Sequence, residues 1–292
     1  TAKNHTKATQ QSAFFSDTVS LGDHWQVLAG ARYLRYQSEA VAASGSRRDF
    51  RVNSTIPTTG LLFKPAEAIT FYGTYTEGFE QGAYAPVWAA NGGQRLDPIK
   101  SRQYEIGMKW QALPSLLATA AWFDIDKPLQ EVDPADNVFK QHGRQRHRGL
   151  ELTANGAITP RLSAIVGASW LDARQEDTGN AALEGKRPSN TARFQANAFI
   201  DYRPASIEGL SLSAGYFHVG DRFLDRANTV RVDAYGRWDA GAAYATRFVG
   251  RPSVFRLYAE NVTDSRYWQS AIYGGVLQGN PRTVHLSMTV EL

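Results

Sequence analysis

Four groupings of side chains in this 292-residue chain have types and spacing that bear on chemistry. Glu131, Asp133 and Asp136 place three carboxylates close together, a pairing able to act as acid and base. Pro134 and Asn137 stand among them, however, and Asp beside Pro and Asn is the composition of a tight turn, which is the reading adopted. His142 and His147 are loosely spaced, with no cysteine and no defined third ligand, so no metal site is expected. Arg144, Arg146, His147 and Arg148 form a basic cluster able to attract phosphate or another anion, with a solvated strand entry as the plainer account. The fourth grouping is dispersed. Tyr84, Trp88 and Arg95 in one polar segment, and Trp268 and Tyr273 in another, offer aromatic faces and hydrogen-bond donors to a bound molecule. An elbow serine, a Ser-x-x-Lys pair, a zinc-type His motif and a phosphate loop are all missing, so neither enzymatic activity nor a catalytic residue is expected.

The elements that must position these groups are thirteen or so strand-like runs, whose connections alternate between very short and long. The short ones fall at Leu21 to His24, Pro65 to Ala68, Leu113 to Ser115, Thr159 to Arg161, Pro204 to Gly209 and Val249 to Pro252, rich in Gly, Pro, Asp and Ser. The long ones fall at Ser38 to Phe50, Phe79 to Lys100, Lys127 to Gln145, Arg174 to Asn190, Arg222 to Val232 and Asp264 to Asn280. All long loops at one end and all tight turns at the other is the pattern of an antiparallel transmembrane β-barrel of an outer membrane, with short periplasmic turns and long extracellular loops.

Composition agrees. The 42% hydrophobic content never collects into an apolar run long enough for a spanning helix. A mean hydropathy of -0.40 is compatible with a barrel, because alternate residues of each strand face a polar lumen. With no cysteine there is neither a disulfide framework nor a thiolate site. Residues Thr1 to Thr6 show no charged and apolar export signal, which is expected to have been removed or to lie upstream. The net charge of +4 is interspersed rather than gathered into a stripe, so no nucleic-acid partner is expected.

Period-two alternation assigns faces. Tyr104, Ile106, Met108 and Trp110 oppose Gln103, Glu105 and Lys109. Leu150, Leu152 and Ala154 oppose Glu151, Thr153 and Asn155, and Phe194, Ala196, Ala198, Ile200 and Tyr202 oppose Arg193, Gln195, Asn197 and Asp201. Val284, Leu286, Met288, Val290 and Leu292 make the apolar face of a closing strand. Trp25, Trp110 and Tyr202 near short turns, with Tyr104 and Trp170 toward the long loops, fit two interfacial girdles. The first quarter is less regular, interrupted by Asp17 and Pro57. A first strand starting on the outside and an odd strand count imply further strands upstream, or a miscount near the start.

Specific motifs carry a resemblance. Tyr72-Gly73-Thr74-Tyr75-Thr76-Glu77-Gly78-Phe79, Leu96-Asp97-Pro98 with Gln103 to Lys109, Gly143 to Leu152, Tyr258 to Tyr267, and Pro281-Arg282-Thr283-Val284 resemble, in order and spacing, the TonB-dependent siderophore receptors. The resemblance covers essentially the whole chain, so residues 1–292 are expected to be one partial TonB-dependent receptor β-barrel domain. It implies an all-β fold: the C-terminal part of a 22-stranded barrel, without the plug, the TonB-contact segment and the early strands. It implies an outer-membrane receptor for TonB-dependent uptake of ferric siderophores, with iron present only as the siderophore's own ligand and no protein cofactor. Tyr84, Trp88, Arg95, Trp268 and Tyr273 are then the candidate ligand contacts. Expected partners are a ferric siderophore, TonB through the missing N-terminal region, and outer-membrane lipid and lipopolysaccharide. Leu292 departs from the family's usual aromatic ending, and His147 stands where the family often has Ser. Two other readings stay open: a passive channel or a receptor for haem, cobalamin or oligosaccharide, and a soluble all-β binding domain with a shared apolar core.

Overall fold

The computed structural model describes residues 5–41, 43, 45, 47–272 and 274–291. Strands alone make up its regular structure: β1 (His5–Leu21), β2 (Trp25–Val41), β3 (Arg47–Ala66), β4 (Ile69–Glu80), β5 (Ile99–Leu113), β6 (Leu116–Val132), β7 (Phe139–Thr159), β8 (Leu162–Glu176), β9 (Phe194–Tyr202), β10 (Leu210–Val219), β11 (Arg222–Phe223), β12 (Arg231–Val232), β13 (Tyr235–Phe248), β14 (Arg251–Glu260), β15 (Trp268–Ile272), β16 (Gly275–Gln278) and β17 (Thr283–Val290). Thirteen of them hydrogen-bond in the order β1-β2-β3-β4-β5-β6-β7-β8-β9-β10-β13-β14-β17, while β11-β12 and β15-β16 are hairpins within long connections. Each neighbour in sequence is thus a neighbour in space, as hairpin connections require.

All six short connections expected from Gly, Pro and Asp are present as turns. Two of the long ones are shorter than expected, because the strands continue into them. β2 keeps its pairing with β3 up to Val41↔Arg47, and β6 and β7 extend to Val132 and back from Phe139. Polar residues at these ends do not break a strand whose partners satisfy its backbone. Nor do Asp17 and Pro57 interrupt theirs: Asp17 pairs with Ala29 and Pro57 with Ala31 within uninterrupted registers. One missing donor at Pro57 is a small loss beside the remaining ladder of a 20-residue strand.

The contacts divide the chain into two compact units. The first holds the chain up to Ile106 together with Phe123–Arg146 and Asp177–Asn180. Its registers place Trp25, Val27, Ala29 and Ala31 beside Phe63, Leu61, Thr59 and Pro57 on one face, with Phe71 continuing it. Trp25 and Phe63 pack at 4.5 Å between ring centroids. The second unit holds Gly107–Trp122, His147–Glu176 and the chain from Ala181 onward. There Ala242, Leu257 and Leu286 align across three strands, as do Tyr244, Phe255 and Met288.

Burial is inverted relative to a protein with an apolar core. The side chains most completely buried are Gln175, Asn261, Thr178 and Asp239, whereas Leu286 is 79% exposed and Phe15 72%. In water such an outer face would be a large exposed apolar patch. In a bilayer the same face is solvated by acyl chains, and every strand of the sheet between β1 and β17 has its backbone groups paired by two neighbours, as a spanning sheet requires. A soluble all-β domain with a shared apolar core is therefore ruled out.

Candidate functional site

The long connection 81–98 is built onto the end of β6 and β7 rather than hanging free. Ala85, Ala89 and Phe139 form a small apolar cluster, joined by Leu96 and Val132. The Asn91 side chain locks it in place, donating to the Phe139 carbonyl (2.8 Å) and accepting from the Phe139 N–H (2.8 Å). Gly82 is needed at the base, since a Cβ there would collide with the Leu96 carbonyl.

On this scaffold Tyr84 and Arg95 form an isolated antiparallel bridge, which brings two of the expected contact residues together. Arg95 donates to Tyr84 Oη at 3.1 Å. Its guanidinium lies 3.3 Å from the Phe50 ring centroid and 4.7 Å from that of Tyr84. Gln81 bridges this group to Tyr36. Among the described residues no carboxylate pairs with Arg95, so aromatic faces hold a cation whose charge is left uncompensated. Trp88 lies elsewhere on the same connection: it and Val87 are 66% and 86% exposed, and the Trp88 carbonyl accepts from Asn137 at 3.4 Å. Phe50 escaped the sequence reading because it fell in the segment Ser38 to Phe50, read as a long connection, and Tyr36 because nothing local to β2 shows that it reaches Gln81. Aromatics alternating toward a loop-side strand end were the available signal.

In the second unit Trp268 opens β15 and is half exposed. Its carbonyl accepts from Arg222 Nη2 at 2.6 Å, and Arg222 Nη1 donates to the Gln269 carbonyl at 2.9 Å. Trp268 lines a cleft of about 510 Å³ together with Tyr235 and Tyr267, whose rings stack at 4.2 Å. Neither tyrosine was singled out from sequence, because nothing local to Tyr235 shows that it meets a residue 32 positions later. Tyr273 lies outside the described residues.

The carboxylates near 133 are turn-formers. Lys140 Nζ lies 2.7 Å from Asp133 and 2.8 Å from Asp136, while the N–H groups of Ala135 and Val138 donate to them. The lysine, seconded by those N–H groups, holds both carboxyls below the ordinary carboxylate range, the wrong direction for a general acid. Glu131, expected in a loop, belongs to β6. His142 Nδ1 is 3.9 Å from Asp133, its Nε2 is buried against Gly179, and no group of three or more potential metal ligands occurs among the described residues. Within the basic cluster Arg146 binds Asp124 through two bonds of 3.1 and 2.7 Å, and Arg144 lies 3.2 Å from Asp126 and 3.5 Å from Asp177.

A buried polar knot shapes the last long connection. Asp239 accepts from Arg237 (2.9 Å), Tyr258 (3.2 Å) and the Asn261 N–H (2.8 Å). The Asn261 side chain in turn accepts from Ser265 N and donates to the Ser265 and Asn280 carbonyls, at 2.9 to 3.0 Å. The Tyr258 to Tyr267 motif thereby closes the loop at both ends.

Comparison with known proteins places these features in context. The family model described as "TonB dependent receptor-like, beta-barrel" matches residues 1–262. The ferrichrome receptor FcuA of Yersinia enterocolitica is 30% identical over 289 residues, covering 94% of this chain and 38% of that protein. The probable TonB-dependent siderophore receptor PiuA of Acinetobacter baumannii is 26% identical over 282 residues, covering 89% and 37%. Among solved structures, BauA, the ferric preacinetobactin receptor of Acinetobacter baumannii, superposes with a TM-score of 0.85 at 28% identity, covering 98% of this chain and 43% of that one. The chain thus spans less than half the length of the relatives it matches.

Proposed function

The chain belongs to the TonB dependent receptor-like β-barrel family of the outer membrane, and from that premise we propose that it forms part of the wall and mouth of a receptor for TonB-driven uptake of ferric siderophores. The observation that carries the reading is the uncompensated Arg95 cation held over Phe50 and Tyr84 in a long connection. A ferric siderophore wraps iron in its own oxygens and presents an outer surface of oxygens and ring or chain carbons. Recognition then needs cationic donors and aromatic faces, not metal ligands, and the iron is cargo. Trp268 with Tyr235 and Tyr267 supplies a second aromatic surface of the same kind. The loop asymmetry supports an extracellular position for these long connections.

The test is uptake of ⁵⁵Fe by cells that lack other receptors and express the intact reading frame containing this chain. Ferric hydroxamates and catecholates form the probe panel. Uptake of at least one, abolished by a protonophore and by loss of TonB, is expected. Arg95→Met should weaken binding of that complex roughly 2- to 30-fold, the range of a partly desolvated cation–π pair. Growth on haem or cobalamin with no siderophore uptake would transfer the reading to another cargo, and protonophore-insensitive flux would make the protein a passive channel.

A further inference from the structure

Arginine and asparagine side chains in the long connections of the second unit reach from one connection to the next. In 181–193 the Arg187 guanidinium donates to the Asp221 carbonyl at 2.9 Å and to its carboxylate at 3.0 Å, and lies 4.7 Å from the Phe223 ring centroid. The Arg187 N–H donates to Asn228 Oδ1 at 2.9 Å, and Asn228 Nδ2 donates back to the Arg187 carbonyl at 2.8 Å. These contacts join 181–193 to 220–234. Arg222 joins 220–234 to 261–282. It is buried, no carboxylate pairs with it among the described residues, and it donates to the carbonyls of Trp268 and Gln269 while lying 5.6 Å from the Tyr235 ring centroid. Asn190 supplies the third side of the triangle: its N–H donates to the Phe223 carbonyl at 2.8 Å, and its Oδ1 accepts from the Ala271 N–H at 2.9 Å.

Each connection is therefore bonded to both of the others. Lifting 261–282 alone would break the Asn190 and Arg222 contacts together and leave Arg222 a buried cation without its acceptors. Lifting 181–193 alone would strand Arg187 and Asn228 in the same way. An opening that spares these groups must carry all three connections at once. Their bases are fixed as well, since Gln175 at the end of β8 exchanges reciprocal bonds with Arg226, and Asn261 closes the last connection. Asn190 has φ of 56°, a left-handed conformation that Asn adopts more readily than most residues, so its type suits both its backbone and the bond it accepts. Neither Asn190 nor Arg222 lines the cleft of Trp268, Tyr235 and Tyr267, yet Arg222 holds the backbone of the first and the ring of the second.

We infer that Asn190 and Arg222 are positioning residues, which fasten the three connections into one body and so present the Trp268 cleft preformed, before any cargo arrives. A cleft built in advance avoids the ordering cost of one assembled from separate loops around its ligand. This role rests on the reading of the cleft as a cargo surface, and the experiment separates the two.

The intact receptor in phospholipid vesicles carries spin labels at Lys186→Cys/Leu277→Cys or Val230→Cys/Leu277→Cys, and double electron–electron resonance measures each distance distribution. The parent should show one narrow distance per pair, unchanged when saturated with the tris-catecholate or tris-hydroxamate complex of Fe(III). Asn190→Gly keeps the backbone conformation but removes the acceptor, and should widen the Lys186/Leu277 distribution at least roughly twofold. Asn190→Asp, which keeps an acceptor oxygen, should restore the parent width. Arg222→Met removes both donors and should widen the Val230/Leu277 distribution. It should also weaken binding of the ferric complex, followed by tryptophan quenching, roughly tenfold as the competent cleft becomes a minor population. Trp268→Ala should weaken binding and leave both distances as in the parent. Heat-modifiable gel mobility reports that each variant is folded. Distributions as narrow as the parent's in Asn190→Gly and Arg222→Met would overturn the inference, as would parent distances that shorten or narrow when the ferric complex is added. Parent-like binding by Trp268→Ala, with the distances responding as expected, would instead overturn the cargo reading and leave the coupling of the three connections in place.

Discussion

Leu257→Lys probes the inverted architecture directly. Leu257 lies midway along β14, opposite Ala242 on one side and Leu286 on the other, and is 51% exposed. If that face meets acyl chains, a lysine ammonium placed there sits near the bilayer midplane and costs about 2–4 kcal/mol. At about 1.4 kcal/mol per decade the folded population relative to unfolded falls roughly 30- to 700-fold. The matched control is Ser213→Lys. Ser213 lies on the opposite face of β10, across from Asp201 and Gly241, so the new cation enters a polar lumen beside a carboxylate. A change within about 1 kcal/mol is expected there. The assay is urea unfolding of the receptor in phospholipid vesicles, followed by tryptophan emission and by loss of heat-modifiable mobility. A silent Leu257→Lys paired with a damaging Ser213→Lys would mean that the apolar face is solvated by water and the polar face is the core, which would refute the membrane assignment of both faces.

Other consequences are local. Asp225 accepts from the N–H groups of Thr229 and Val230 at 2.8 to 3.0 Å, and these donors, Val230 foremost, hold its carboxyl below the ordinary range. A carboxyl depressed by folding stabilises its loop above the unfolded value, near pH ~4, and loses that contribution as pH falls through the native value. Amide exchange at Thr229 and Val230 should therefore be slow at pH 6, relative to the intrinsic rate, and should lose protection at pH 2, while Asp225→Ala should lose it at both. Asn261→Ala removes one acceptor and two donated bonds from a site that is 1% exposed, so a cost of about 1–3 kcal/mol is expected in vesicle unfolding, with faster proteolysis of the 264–280 connection. Asn261→Asp should retain the bond from Ser265 N and lose the two to carbonyls, giving a larger penalty from the buried charge facing them.

Much of the fold was legible because a barrel strand writes its environment into every second residue. The run Leu150, Leu152, Ala154 against Glu151, Thr153, Asn155 is such a record, and Thr153 meets Thr119 on the polar face. Tight turns were legible too, since Leu113-Pro114-Ser115 and Thr159-Pro160-Arg161 leave the chain few alternatives to reversal. Pro57 and Asp17 misled for a stated reason: local propensity disfavours them in a strand, and a long register on both sides outweighs it. The site was only partly legible. Tyr84 and Arg95 announced themselves by type, yet Phe50, which lies beneath Arg95, comes from another strand 45 residues earlier.

What the sequence determined by itself is the alternation of faces, the alternation of short and long connections and the ordered motifs, because each depends on neighbours along the chain. What only the tertiary structure decided is which charges are neutralised. Arg95 and Arg146 read alike as isolated cations in polar segments, but Asp124 lies beside Arg146, whereas Arg95 lies over the ring of Phe50. Coulomb attraction falls with distance through space rather than along the chain, so the fate of each charge waited on the register of the sheet.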